Sequence, residues 1–116
     1  MAEPYRTRLV EMLNELDLSK TAVVTLETKH FFNGAALYAN GTICLIHNPS
    51  GFAVKLRAEA RDSLIAHGEG SEFRVFPNGP IKGAYVALSD AVLGNAALLR
   101  ELINNSINYV LDLPAG

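Results

Sequence analysis

The chain lacks what would fasten it covalently or anchor it in a membrane. It has one cysteine, Cys44, and no tryptophan. A single thiol makes no intramolecular disulfide and cannot alone build a thiolate zinc site. No apolar run approaches the ~18 residues of a membrane-spanning helix, and no apolar signal segment opens the chain. Charge is scarce too. Asp, Glu, Lys and Arg make up 19% of the 116 residues, against about 25% in an ordinary soluble domain. Ten basic and twelve acidic side chains leave a net charge of −2, which argues against a bulk electrostatic grip on nucleic acid. No repeat, low-complexity stretch or linker divides the sequence. The expectation is one domain over residues 1–116 in a reducing, cytoplasmic compartment.

Catalytic patterning is missing as well. His30, His47 and His67 form no HxH, HxxxH or HExxH pattern, so no metal site is expected. There is no Gly-x-Ser-x-Gly elbow. Ser50, Ser63, Ser71, Ser89 and Ser106 all have turn, cap or surface explanations. Gly68-Glu69-Gly70-Ser71-Glu72 looks like a phosphate loop only superficially, because it lacks the lysine and carries two carboxylates. Cys44 lies in the apolar run Thr42-Ile43-Cys44-Leu45-Ile46, where a thiol behaves as a small hydrophobe. A non-catalytic chain without a cofactor is expected.

What the chain has is apolar material, 49% of its residues, laid out with clear periods. Tyr5 to Asp17 reads as a first helix after Pro4, with Leu9, Met12, Leu13 and Leu16 on one face and Glu11 and Glu15 opposite. Thr21 to Leu26 is β-branched and reads as extended. Phe31 to Tyr38 reads as a strand, and Asn40-Gly41 as a tight hairpin turn, since both residues tolerate positive φ. Thr42 to His47 returns, Asn48-Pro49-Ser50-Gly51 turns again, and Phe52 to Leu56 follows. Arg57 to His67 reads as a helix stopped by Gly68. Phe73 to Phe76 and Gly83 to Leu88 flank a Pro77-Asn78-Gly79-Pro80 loop. Ser89 and Asn95 cap two closing helices. The second runs to Leu111 with Leu98, Leu99, Leu102, Ile103, Ile107 and Leu111 as its stripe. The expected fold is α+β, a two-layer sandwich of about five antiparallel strands with helices on one face, in the order α-β-β-β-α-β-β-α.

Two sets of residues stand out as candidate sites. Alternation from Phe31 to Tyr38 puts Phe32, Gly34, Ala36 and Tyr38 on one face. Helix cover is expected there, and the small residues would let a helix or a second chain approach. These four are the candidate interface. The basic residues Lys29, Lys55, Arg57, Arg61, Arg74 and Lys82 are scattered through strands and their flanks. Lys29, Lys55 and Tyr85 are the candidate anion-binding group, at a sheet edge.

The run Lys29-His30-Phe31-Phe32-Asn33-Gly34-Ala35-Ala36-Leu37-Tyr38-Ala39-Asn40-Gly41 resembles the signature of the TfoX N-terminal domain family. There a basic residue precedes Met-Phe-Gly-Gly, a small residue, an aliphatic and a Tyr. Phe52-Ala53-Val54-Lys55-Leu56 and Lys82-Gly83-Ala84-Tyr85-Val86-Ala87-Leu88 are similar to later strands of the family. This chain departs from the pattern at Phe31 and Asn33, at Ala36, and at Ser89, where a proline is usual. The resemblance implies an α+β fold of the kind shared with secretion-chaperone-like domains, and it implies no catalytic residues. Relatives that regulate natural competence carry a second, C-terminal domain, and this chain is expected to be the N-terminal domain alone. The combined expectation is a regulatory or protein-interaction domain, homodimeric, with neither membrane nor nucleic acid as partner. The alternative is a domain binding a small anionic ligand.

Overall fold

Turn and cap chemistry sets the order of the elements. The computed structural model describes residues 3–15, 25–31, 34–76 and 78–112. They form α1 (Glu3–Glu15), β1 (Leu26–Phe31), β2 (Gly34–Ala39), β3 (Thr42–Asn48), β4 (Gly51–Lys55), α2 (Ala58–Ala66), β5 (Gly70–Arg74), β6 (Ile81–Leu88), α3 (Asp90–Leu93) and α4 (Ala96–Leu111). The six strands make one antiparallel sheet in the order β1-β2-β3-β4-β6-β5. Asn40 and Gly41 take φ of 49° and 84° in the β2–β3 turn, the pair of positive angles that a two-residue hairpin requires. Asn40 also closes the end of β1. Its N–H donates to the Thr25 carbonyl and its Oδ1 accepts from the Thr25 N–H, each at 2.8 Å.

Helix α2 stops as expected. Gly68 sits at φ +71° just past its end. The Glu69 N–H reaches Leu64 O at 2.8 Å and the Gly68 N–H reaches Ile65 O at 3.1 Å, the paired bonds of a Schellman motif. The supposed phosphate loop is therefore a helix stop running into β5. Ser89 Oγ accepts from the Val92 N–H and Asn95 Oδ1 from the Leu98 N–H, so both predicted caps form.

The bounds of three elements differ from expectation. The single strand Phe31–Tyr38 is two, because β1 ends at Phe31 and β2 begins at its partner Gly34. Period-2 alternation reads straight on across positions 32 and 33, which lie outside the described residues, and Asn33-Gly34 is the sequence signal of a break there. Six strands result, four of them before α2. Strand β5 begins at Gly70 rather than Phe73, with no loop after the helix stop. The α4 stripe also shifts. Ser106 and Val110 are buried with Leu99, Leu102, Ile103 and Ile107, while Leu98 is only half-buried and Leu111 is exposed. Of the Thr21–Leu26 segment, all but Thr25 and Leu26 lie outside the described residues, as does Leu16.

All four helices pack on one side of the sheet. Helix α1 lies on β1, β2 and β3, α4 on β2, β3 and β4, α2 on β5 and β6, and α3 against α4. Between the layers lies one core that includes Leu9, Leu13, Leu37, Leu45, Phe52, Val54, Val86, Ile103 and Ile107. Each such side chain contributes roughly 1.5–3 kcal/mol when fully buried. The opposite face holds a second, smaller cluster of Ala36, Ile46, Ala53, Phe73, Val75 and Tyr85. The helix cover expected over Gly34, Ala36 and Tyr38 falls instead on Ala35, Leu37 and Ala39.

Candidate functional site

The face without helices among the described residues follows from strand register. Antiparallel partners point to the same side of a sheet. Lys29, Ala36, Ile46, Ala53 and Ala87 are successive partners across β1, β2, β3, β4 and β6. One step along, Tyr38 pairs with Ile43, and Lys55 with Tyr85. A bulge makes this second row possible. Register slips so that Leu37 faces Leu45 but Tyr38 faces Ile43, leaving Cys44 as the extra residue. Cys44 turns into the helix-side core and Ile43 into the open face. The bulge is pinned by α4, whose Ser106 Oγ donates to Cys44 O at 2.8 Å. The Cys44 thiol donates to Leu37 O at 3.5 Å. Burial pushes that thiol up to about 12, which keeps it protonated and unreactive near neutral pH.

The sheet curls toward this face. Asn48 Nδ2 and Ser50 Oγ, in the β3–β4 turn, donate to Val75 O at 3.1 and 3.0 Å. Val75 follows β5, and two strands separate β5 from β3 in the sheet order. Bonds across that distance require a concave sheet. Asn48 is buried, and its Oδ1 accepts the Ser50 N–H at 2.9 Å, so the Asn-Pro-Ser-Gly turn is also the clasp of the curl.

Lysines and tyrosines rim the concave face. Lys29 Nζ stands 5.0 Å from the Tyr38 ring centroid, and Lys55 Nζ 5.3 Å from that of Tyr85, both within cation–π range. Burial lowers the Lys55 ammonium below its ordinary range, and the charge of Lys82 lowers it further. Burial likewise raises the Tyr85 phenol, with smaller contributions from Cys44 and Tyr38. Beside Lys82, an apolar cavity of about 200 Å³ is lined by Val75, Phe76, Gly79 and Pro80. Phe76 is 45% exposed there.

Among the three predicted anion-binding residues, Lys55 and Tyr85 are brought together directly. Lys29 lies on β1, three strands from β4, and stands over Tyr38. Among the four interface candidates, Gly34 and Ala36 are closed off within the chain, Tyr38 is half-buried, and Phe32 lies outside the described residues. The arginines have structural duties. Arg57 pairs with Asp112 at 3.0 Å and covers Tyr109. Arg61 donates to Leu56 O and Ala84 O, and Arg74 to Gly79 O. Sequence reasoning grouped lysines with arginines and did not single out Lys82. Its place beside a Pro/Gly loop that follows a strand was the available signal.

A second groove, about 370 Å³, runs between α1 and the start of α4. Arg8, Glu11, Glu15 and His47 contribute its polar groups, whose charges are of mixed sign. His47 packs edge-on to Tyr5 at 5.0 Å and against Phe52 at 5.2 Å. Its Nδ1 is buried without a hydrogen-bond partner. Burial, and then Arg8, lower its pKa, so the ring is neutral at pH 7. No group of three or more His, Cys, Asp or Glu gathers as a metal site among the described residues. No described helix is long and apolar enough to cross a membrane.

No curated protein gives a significant match to the chain. The model of the TfoX N-terminal domain matches residues 19–109. That span takes in the whole sheet, both Lys–Tyr pairs and nearly all of α4. The chain belongs to the TfoX N-terminal domain family.

Proposed function

We propose that this chain is a non-catalytic interaction domain that binds its partner through the concave face of its sheet, which carries no helix among the described residues, in keeping with a regulatory role in the cytoplasm. One observation carries the proposal. Lys29 stands over half-buried Tyr38, whose partner is half-buried Ile43, Lys55 stands over Tyr85, and Lys82 lines the cavity beside Val75; none of the three lysines makes an ion pair with a carboxylate among the described residues. Such a surface is half apolar and half charged, as interface cores with a polar rim are. The non-catalytic part rests on Cys44, whose thiol is buried and held protonated. Homodimerisation, expected from the apolar content, is proposed for a different surface. Two copies joined on this face would set three lysines against the same three, with Glu27 as the acid in the β1 row.

A photo-crosslinking side chain in place of Ile43, with another in place of Asn108 on α4 as control, tests the proposal in the protein's own cells. The expected result is a discrete adduct from position 43 alone, lost when excess unmodified protein competes. Equal adducts from both positions, no adduct, or an adduct with the mass of two copies of the chain would refute it. One feature favours a small anion instead, since burial lowers the Lys55 ammonium and a bound anion would restore it. A thermal shift with inorganic phosphate, abolished in Lys55→Gln, is the result that reading requires.

A further inference from the structure

We infer that the partner seated on the concave face is an extended, acidic protein segment with apolar side chains between its carboxylates, an inference that rests on the binding-face proposal above. Charge is the first argument. The arginines near the sheet are consumed by Asp112 and by backbone carbonyls, whereas Lys29, Lys55 and Lys82 pair with no carboxylate among the described residues. An ammonium on a tyrosine ring keeps N–H donors pointing outward, and a carboxylate is the group they complete.

Spacing is the second argument. Lys29 and Lys55 lie on β1 and β4, three interstrand steps apart in the sheet, or about 14 Å at roughly 4.8 Å per step. Residues i and i+4 of an extended chain point to one side and are separated by about 13–14 Å. Two carboxylates in that relation match the two lysines. The side chain at i+2 then falls over Tyr38 and Ile43. Beyond Lys55, the cavity lined by Val75, Phe76, Gly79 and Pro80 has room for one further apolar side chain.

Other occupants fit less well. Single-stranded nucleic acid needs exposed ring faces on which bases stack, and here the Tyr38 and Tyr85 rings are capped by lysine ammonium groups. Lysines three strands apart do not converge on one small anion.

The test uses the full chain and a labelled synthetic peptide with Glu at every fourth position, Leu midway between and Ser elsewhere. Anisotropy is read at about 50 mM and about 300 mM salt, a range over which ion pairing at a surface is progressively screened. Controls are the same peptide with Gln for Glu, an oligothymidylate of equal length, and inorganic phosphate as competitor. Backbone amide NMR shifts locate the site. The Glu peptide is expected to bind with shifts on β2, β3, β4 and β6. The Gln peptide, the higher salt and the Lys29→Gln/Lys55→Gln variant should each weaken it about tenfold or more. Equal binding by the Gln peptide, or none by the Glu peptide, overturns the acidic segment while leaving the crosslinking result at position 43 intact. Tighter binding of the oligothymidylate, or displacement by millimolar phosphate, replaces a protein partner with a nucleic acid or a small anion. Shifts confined to the helices overturn both proposals.

Discussion

Gly34→Ala tests the placement of the whole concave face. Gly34 opens β2 opposite Phe31. A methyl built there would fall 2.5 Å from Asn48 Cβ, 2.7 Å from Asn48 Cα, and closer still to the His47 carbonyl oxygen. Normal carbon contacts are about 3.5–4.0 Å, so the backbone of β3 must retreat by about an ångström. Those neighbours cannot yield by rotating a side chain, and Asn48 also holds the clasp to Val75. Overpacking of this kind costs about 1–3 kcal/mol, and backbone obstruction puts it at the upper end. Replacing Gly also removes freedom from the unfolded chain, a gain of about 0.4–1 kcal/mol. The net expectation is a loss of about 2–3 kcal/mol. At roughly 4 °C per kcal/mol for a domain of this size, the melting temperature falls by about 10 °C.

Gly83→Ala is the matched control. Nothing lies within 4 Å of a methyl there, and its φ is not in the left-handed region. The same entropy gain then acts alone, so the variant should melt a few degrees above the parent. Circular dichroism melts and urea titrations of the three proteins give the comparison. A Gly34→Ala protein within about 2 °C of the parent would refute the close approach of β2 to the end of β3. The curl built on that approach would fall with it.

Ser106→Ala removes the hydroxyl that donates to the carbonyl of the bulge residue Cys44. It should cost about 1–3 kcal/mol in urea unfolding, and a loss below about 0.5 would remove α4 as the pin of the bulge. Cys44 should be inert to a thiol reagent in the folded protein and react with one equivalent in denaturant. Fast labelling of the native state would contradict its burial. His47 is held neutral, its folded pKa lying below the unfolded value of about 6.5. Its contribution is therefore intact above about pH 6.5 and is lost as pH falls through the folded pKa. His47→Phe should flatten the drop in urea midpoint between pH 7 and 5, and an unchanged drop would refute the assignment. Tyr85→Phe should leave phenolate absorbance at about pH 10.5 unchanged, since burial holds that phenol protonated. A deficit of one phenolate would show Tyr85 to be exposed.

Elements with local chemistry were legible in the sequence. Asn40-Gly41, Gly68, Ser89 and Asn95 each act within a few residues of themselves, through φ or a cap, and each does in the fold what its type dictates. The two candidate sites were only half legible. Lys55 and Tyr85 belong with Lys29 to the expected anion-binding group, but their adjacency depends on β4 lying beside β6, a pairing across α2 and β5 that no local signal encodes. Tyr38 was picked for its alternation. It shares a row with Gly34 and Ala36 as that alternation requires, but the helices pack on the other row, Ala35, Leu37 and Ala39.

The side on which helices pack could not be taken from polarity, because both rows of β2 are apolar or small. Ala35, Leu37 and Ala39 face the helices, and Gly34, Ala36 and Tyr38 face away. Size carries the missing information. Curling a sheet crowds the side chains on its concave side and spreads them on its convex side. On the concave side the central row is Ala36, Ile46, Ala53 and Ala87, three of four of them alanine, with Gly34 and Gly51 at strand starts. The convex side carries Leu37, Leu45, Phe52, Val54 and Val86 between the helices. A methyl or a hydrogen fits where strands close on each other, and branched or aromatic side chains fill the gap to a second layer. A run in which both alternate rows are apolar, one small and one bulky, therefore marks a curled sheet with helices on the bulky side. The small residues become the floor of that face, and what stands taller there, Lys29, Tyr38 and Lys55, is what the proposed partner would meet, with Tyr85 buried beneath the Lys55 ammonium.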